Sequence, residues 1–243
     1  MKIAINKAHF PVTVLGPGRR IGLWTQGCRI RCKGCVSQDT WPYDPGRETT
    51  VARVLEWCRK VTGGGARGAG IDGGSGVDNP DGTGTAGNGA FDGVTISGGE
   101  PFDQPAALAN LLDALIAWRE ADGLDFDLLC YSGYPLARLQ KKHAAILARL
   151  DALIPEPYTD GQPLSHLWRG SANQLLVPLS DRGRTRYAPY LDAAADTFGK
   201  RIQVGVEEGR VWFVGIPGRG DMAALEETCR TRGVELAKAS WRQ

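Results

Sequence analysis

The segment Leu23-Trp24-Thr25-Gln26-Gly27-Cys28-Arg29-Ile30-Arg31-Cys32-Lys33-Gly34-Cys35 governs how the rest of this 243-residue chain is read. Three of its residues are cysteines at the spacing C-x3-C-x2-C. Thiolates this close converge on one object if they are used, and thiolate is a soft ligand suited to zinc and iron–sulfur centres. A four-iron cluster normally takes four cysteines, so a local supply of three leaves one iron without a protein thiolate. An open coordination position separates a reactive metal site from a closed structural one. The alternative is a zinc-stapled loop. Zinc sites usually pair two separated half-sites, and no second half stands in the sequence; His9 and Cys58 are the nearest spare ligands.

Composition narrows the rest. With 42% hydrophobic and 23% charged residues the chain can bury a sizeable core and fits one large domain or two small ones; a single domain over 1–243 is expected. A net charge of +2 argues against a strongly electrostatic nucleic-acid or membrane partner. The N-terminus lacks the apolar core of a signal peptide, and no run approaches the roughly 20 apolar residues of a membrane span. A cytoplasmic, reducing location is expected, so the six cysteines are not read as disulfides. Cys58, Cys130 and Cys229 sit in apolar or helical patterns and read as small buried hydrophobes, which leaves no second cluster.

Strands and amphipathic helices alternate outward from the cysteine segment. Gly16-Pro17-Gly18-Arg19-Arg20 is a turn that delivers Ile21–Gln26 as a strand. Val51, Val54, Leu55 and Cys58 recur at helical spacing, which predicts a helix from Glu48 to Lys60 capped by Thr49 or Thr50. From Gly63 to Gly89, twelve of 27 residues are glycine, and this segment reads as a flexible surface insertion. Val94–Ser97 is the next strand, ending in Gly98-Gly99-Glu100-Pro101, with Asp103 and Pro105 opening a helix to about Trp118. Two glycines let a backbone approach a ligand closely, and a carboxylate can hold an ammonium group. Phe126–Tyr131 is the third strand, leading through Ser132-Gly133-Tyr134-Pro135 into a helix. Asp151–Ile154 and Gln174–Pro178 are further strands, and Ile202–Val206 with Val211–Ile216 read as a hairpin or two sheet strands. Asp221 is expected to cap a last helix, and residues 180–243 to complete and cover the sheet.

C-x3-C-x2-C resembles the signature of the radical S-adenosylmethionine superfamily, and Gly98-Gly99-Glu100 matches that superfamily's Gly-Gly-Glu motif. The Leu-Trp-Thr-Gln-Gly-Cys opening, the glycine at Gly34 and the Trp168-Arg169-Gly170-Ser171-Ala172-Asn173-Gln174 segment resemble the activating proteins of anaerobic ribonucleotide reductase. Tyr131-Ser132-Gly133-Tyr134 resembles a Tyr-Thr-Gly-Tyr turn of those activators. Pro155 and Glu156 depart from them, standing where Asp and Gly are expected. The resemblance implies a partial (β/α)6-type barrel with a mainly parallel sheet. It also implies a [4Fe-4S] cluster on Cys28, Cys32 and Cys35, and S-adenosylmethionine bound near Gly34, Val36, Gly98, Gly99, Glu100, Tyr131 and Ser132.

Three readings follow. The first is a glycyl-radical-enzyme activase that draws one electron from reduced flavodoxin or ferredoxin. The second is a radical tailoring enzyme acting on a small molecule or peptide, favoured by the chain's extra length, by the Gly63–Gly89 insertion and by Pro155 and Glu156. The third is a non-catalytic binding module whose cysteines only staple a loop. For Arg169 and Asn173, binding a carboxylate or partner backbone and simple loop closure are equally good readings.

Overall fold

Continuous burial marks the centre of the molecule: all six residues of the strand Arg20–Thr25 lie buried, so both of its faces are covered. A computed structural model describes residues 1–63, 91–199, 202–207, 210–234, 236 and 239–242. The glycine-rich insertion expected at 63–89 therefore falls almost wholly outside the described residues. In chain order the elements are β1 (Lys2–Val12), β2 (Arg20–Thr25), β3 (Glu48–Thr50), α1 (Val51–Thr62), β4 (Gly93–Gly98), α2 (Pro105–Ala121), β5 (Asp127–Tyr131), α3 (Leu136–Leu147), β6 (Ala152–Ile154), β7 (Val177–Pro178), α4 (Asp181–Tyr187), β8 (Ile202–Glu207), β9 (Arg210–Gly215) and α5 (Asp221–Thr231).

Seven strands form one sheet in the order β3-β1-β2-β4-β5-β6-β7. The four central strands, β2, β4, β5 and β6, run parallel, while β1, β3 and β7 join antiparallel. The α/β class expected from the sequence holds, with an open row of strands that ends at β3 and β7. β7 is two residues long rather than spanning Gln174–Pro178, because Gln174 is turned into a loop by its bond to Ser171 O. The β8–β9 hairpin does not complete this sheet; it is a separate two-stranded one.

Side chains alternate across the sheet as the pleat requires. Ile21, Leu23, Val94, Ile96, Leu128, Cys130 and Leu153 face the helices, in one core with Val54 and Cys58 of α1, Leu108, Leu111, Leu112 and Leu115 of α2, and Leu139 of α3. Thr50 caps α1 by accepting from Arg53 N at 3.2 Å, and Pro105 opens α2. Asp103 lies instead in a short 3-10 turn, Pro101–Asp103, ahead of α2. On the opposite face, Leu129, Ala152 and Ile154 pack with Leu167, Trp168, Leu176 and Tyr187, while Val12, Val14, Leu15 and Trp24 pack with Val214 of the hairpin. That second face is covered by residues beyond the parallel strands. α5 begins after Gly220, whose φ is +85°, while the Asp221 carboxylate accepts from Gly218 N at 2.7 Å. Cys229 on α5 is half-buried rather than a core residue, since α5 buries none of its side chains fully.

Candidate functional site

The carboxyl ends of β2, β4 and β5 carry the cysteine loop, Gly98-Gly99-Glu100 and Tyr131-Ser132, and all three open on one cavity of about 410 Å³. Cys28, Cys32, Cys35, Gly34, Val36, Gly98, Gly99, Glu100, Tyr131 and Ser132 all line it. Every residue singled out from the sequence for metal or cofactor is thus brought to one place. Arg169 and Asn173 are not among the lining residues: Arg169 donates to Leu191 O at 2.6 Å and Asn173 Nδ2 to Pro157 O at 2.8 Å, the loop-closing reading of both.

The cysteine loop leaves β2 through Gly27, whose φ of +95° suits glycine. Gly27 N donates to Thr40 O at 2.7 Å and Cys28 N to Trp41 O at 3.0 Å, so the loop is pinned to the chain that follows it. Gln26, 3% exposed, completes the pinning: it accepts from Asn6 Nδ2 at 2.7 Å and donates to Asp39 O and Pro42 O. Asp103 ties in the third loop, accepting from Arg29 N at 2.9 Å and from the Tyr134 hydroxyl at 2.6 Å. Sequence reasoning missed Gln26 and gave Asp103 only a helix-opening role. A polar residue set directly between the buried strand β2 and the cysteine loop, as Gln26 is, was the available signal.

Gly98 and Gly99 are needed first for contact with the protein itself. A Cβ on Gly98 would lie 2.4 Å from Thr25 N, and one on Gly99 2.2 Å from Gly27 O. Backbone bonds from Gly99 N to Thr25 O (2.8 Å) and from Glu100 N to Gly27 O (2.9 Å) lock the two loops together. Glu100 is turned inward, 1% exposed, where its carboxylate accepts from Phe102 N (3.0 Å), Ser132 Oγ (2.9 Å) and Gly133 N (2.8 Å). It joins the second and third loops. Tyr131 is engaged in the same way, donating to Trp168 O at 2.9 Å. Glu156, standing where the resembling activators have glycine, keeps a left-handed φ of +85°; its carboxylate accepts from Leu136 N at the start of α3.

Burial pushes the Glu100 carboxyl up to about 7, against the lowering effect of its three donors. Between the ordinary glutamate range and that value the folded chain keeps a proton that the unfolded chain has lost. Stability of the metal-free protein therefore falls as pH rises through this window, by on the order of 3 kcal/mol, and Glu100→Gln flattens the slope. Urea unfolding on the acid and alkaline sides of neutrality measures it; the same pH slope in both proteins would count against this role for Glu100.

Burial also raises the Cys28, Cys32 and Cys35 thiols, so metal uptake releases protons. Among the described residues no three His, Cys, Asp or Glu side chains converge as a single ion requires, with every sulfur about 2.3 Å from one point. Cys28, Cys32 and Cys35 all line one cavity, and three soft thiolate donors on one short loop are the donor set an iron–sulfur cluster takes. Gly34, with φ +77°, and Ser37 N, 3.4 Å from Cys35 Sγ, shape the loop about them.

A protein family described as a 4Fe-4S single cluster domain matches residues 14–177. The chain belongs to that family. It is similar to the anaerobic ribonucleoside-triphosphate reductase-activating proteins of Vibrio cholerae (28% identical over 177 residues, 69% of this chain and 94% of the relative) and of Enterobacteria phage T4 (26% over 170 residues, 69% and 89%). It is also similar to a pyruvate formate-lyase-activating enzyme of Staphylococcus epidermidis, 29% identical over 169 residues, 64% of this chain and 56% of the relative. These matches agree with the radical S-adenosylmethionine reading of the cysteine spacing and with its leaning toward the reductase activators, and they support an enzyme. In this 4Fe-4S family member, residues 178–243 lie beyond the matched region. Among the described residues no helix is long and apolar enough to cross a membrane.

Proposed function

We propose that this chain is a glycyl-radical-enzyme activase of the anaerobic ribonucleotide reductase type. What carries the reading is that Cys28, Cys32 and Cys35 open on the same cavity as Gly98, Gly99 and Tyr131, in a chain similar to activating proteins. When bound, a [4Fe-4S] cluster and S-adenosylmethionine supply one-electron cleavage of the sulfonium and a 5′-deoxyadenosyl radical. Cys28, Cys32 and Cys35 would hold the cluster, three thiolates for a four-iron centre, and so would leave one iron open to the cofactor. The Gly98 and Gly99 backbone, with Gly34 and Val36, borders the cofactor, while Glu100 and Ser132 fix the corner behind it. Residues of the sheet and of the hairpin wall the cavity on two sides. The open sheet is read as a partial (β/α)6-type barrel whose concave face is this cavity. Reduced flavodoxin or ferredoxin serves as electron donor, and a glycyl radical enzyme as substrate.

The walls contributed by Ile202, residues 211–217, Met222 and Trp241, beyond the matched family region, favour a second reading: a tailoring enzyme acting on a small molecule or peptide. Both are tested by anaerobic reconstitution with iron and sulfide, reduction, and addition of S-adenosylmethionine. Methionine and 5′-deoxyadenosine, with an EPR signal altered by the cofactor, are expected from either. An oxygen-sensitive radical left on a separate protein selects the activase. Absence of cleavage with tightly bound zinc would overturn both.

A further inference from the structure

β9 borders the cavity with every residue from Val211 to Gly215, and the run continues through Ile216 and Pro217. A strand that turned one face to a cavity would line it with alternate residues, because successive side chains point to opposite sides. Here the two sides face different neighbours: Trp212 stacks on His9 at 4.6 Å and Val214 packs on Trp24, while Phe213 meets Trp241 edge-on at 5.8 Å. An unbroken run of lining residues fits a strand that turns its edge, rather than one face, toward the cavity. β8 holds the other edge and is itself fixed to the body by Gln203, which accepts from Thr13 N and donates to Pro11 O. Among the described residues β9 pairs with β8 alone, and no backbone group of Val211–Val214 bonds elsewhere. In an antiparallel pair about half of a strand's N–H and C=O groups point away from its partner. Those of β9 face the cavity that holds the three cysteines.

We propose that the free edge of β9 receives an extended, glycine-bearing segment of the partner protein as a third strand. This rests on the activase reading. A target glycine offers no side chain to grip, so recognition must come from the backbone and from flanking residues. Strand addition supplies the first through main-chain hydrogen bonds and the second through the alternating faces of the new strand. Trp212 and Val214 would meet flanking side chains on one face, Phe213 and Trp241 on the other. The edge strand lies beyond the matched family region, so this recognition belongs to this chain rather than to the shared domain.

The test uses the full chain reconstituted with iron and sulfide, with S-adenosylmethionine present. The probe is an end-blocked Ala-Val-Gly-Val-Ala peptide, together with versions N-methylated at the amides of one edge or of the other. Hydrogen exchange of those amides at 211–214 that point away from β8 is expected to slow at least tenfold with peptide, and methylation along one edge only to weaken binding at least about tenfold. Unchanged exchange at saturating peptide, or equal binding of both methylated forms, overturns the proposal. Formation of 5′-deoxyadenosine in the same samples separates the two levels. Cleavage without protection of β9 sinks the strand addition and leaves the activase; protection without cleavage sinks the activase and leaves a peptide-binding edge.

Discussion

Replacing Cys32 by alanine is expected to leave the chain folded and to deprive it of its cluster. Cys32 is half-buried in a loop whose backbone is held to the body through Gln26, Gly27, Cys28 and Asp103, bonds that do not use the Cys32 side chain. Removing one of three thiolates leaves two irons of a cluster without protein ligands, which that loop cannot make good. Iron bound after reconstitution and 5′-deoxyadenosine formed should both fall by more than about 100-fold, beyond the 10–100-fold typical of losing an outer-shell partner. The melting temperature of the metal-free variant should stay within about 2 °C of the parent, as for other surface substitutions. Retained iron with full cleavage would remove Cys32 from the site. A collapsed melting temperature would show that the thiol's role is structural.

The second large effect is expected at the other end of the same strands. Arg20, Gly93 and Asp127 stand side by side where β2, β4 and β5 begin, far from the cysteine loop. Arg20 and Asp127 are 0% exposed and pair at 2.6 Å. All five guanidinium donors are used: Nε to Thr95 Oγ1, Nη1 to Pro17 O and Asp127 Oδ2, and Nη2 to Val94 O and Asp127 Oδ1. Tyr187 adds a hydroxyl to Asp127 at 2.6 Å and so brings α4 to the pair. Burial opposes the charge on Asp127, but Arg20, the Tyr187 hydroxyl and Arg186, 3.2 Å away, together outweigh it and hold the carboxyl below its ordinary range. Such a pair is weak evidence of net stability, yet breaking it strands a buried charge. Asp127→Ala should cost about 3–5 kcal/mol, a fall of roughly 10 °C in melting temperature for a chain of this size. Adding Arg20→Met should recover part of it, since no charge is then left unpaired. A single variant that melts within a degree or two of the parent would refute this account.

How much of this could be read in advance follows from the range of the forces involved. α1, α2 and the central strands were legible because their signal is local: Val51, Val54 and Cys58 repeat at helical spacing, and Val94 and Ile96 alternate with Thr95 and Ser97 between two glycines. The candidate site was legible as well, since each of its parts directly follows a parallel strand, and parallel strands bring their ends together. The Arg20–Asp127 pair was not, because its members are 107 residues apart and each alone looks like a surface charge. Asp127 inside the apolar run Phe126–Tyr131 was the one hint. The hairpin's existence could be read from its alternation, but not that it stands apart from the main sheet, which depends on packing against Trp24 and Val14. The inward turn of Glu100 was likewise invisible, since Ser132 and Gly133 reach it only once β4 and β5 lie side by side.

The hairpin's packing also limits how this protein can change over evolutionary time. Val214 buries the sheet face formed by Val12, Val14, Leu15 and Trp24, so the segment that frames the entrance is also a foundation. A lineage could redecorate it, exchanging Trp212 or Phe213 to admit a different client while the thiol loop stays as it is. Outright loss would bare that apolar face to solvent. New specificities in this lineage should therefore arise through replaced side chains on β9, not through deletion of the hairpin.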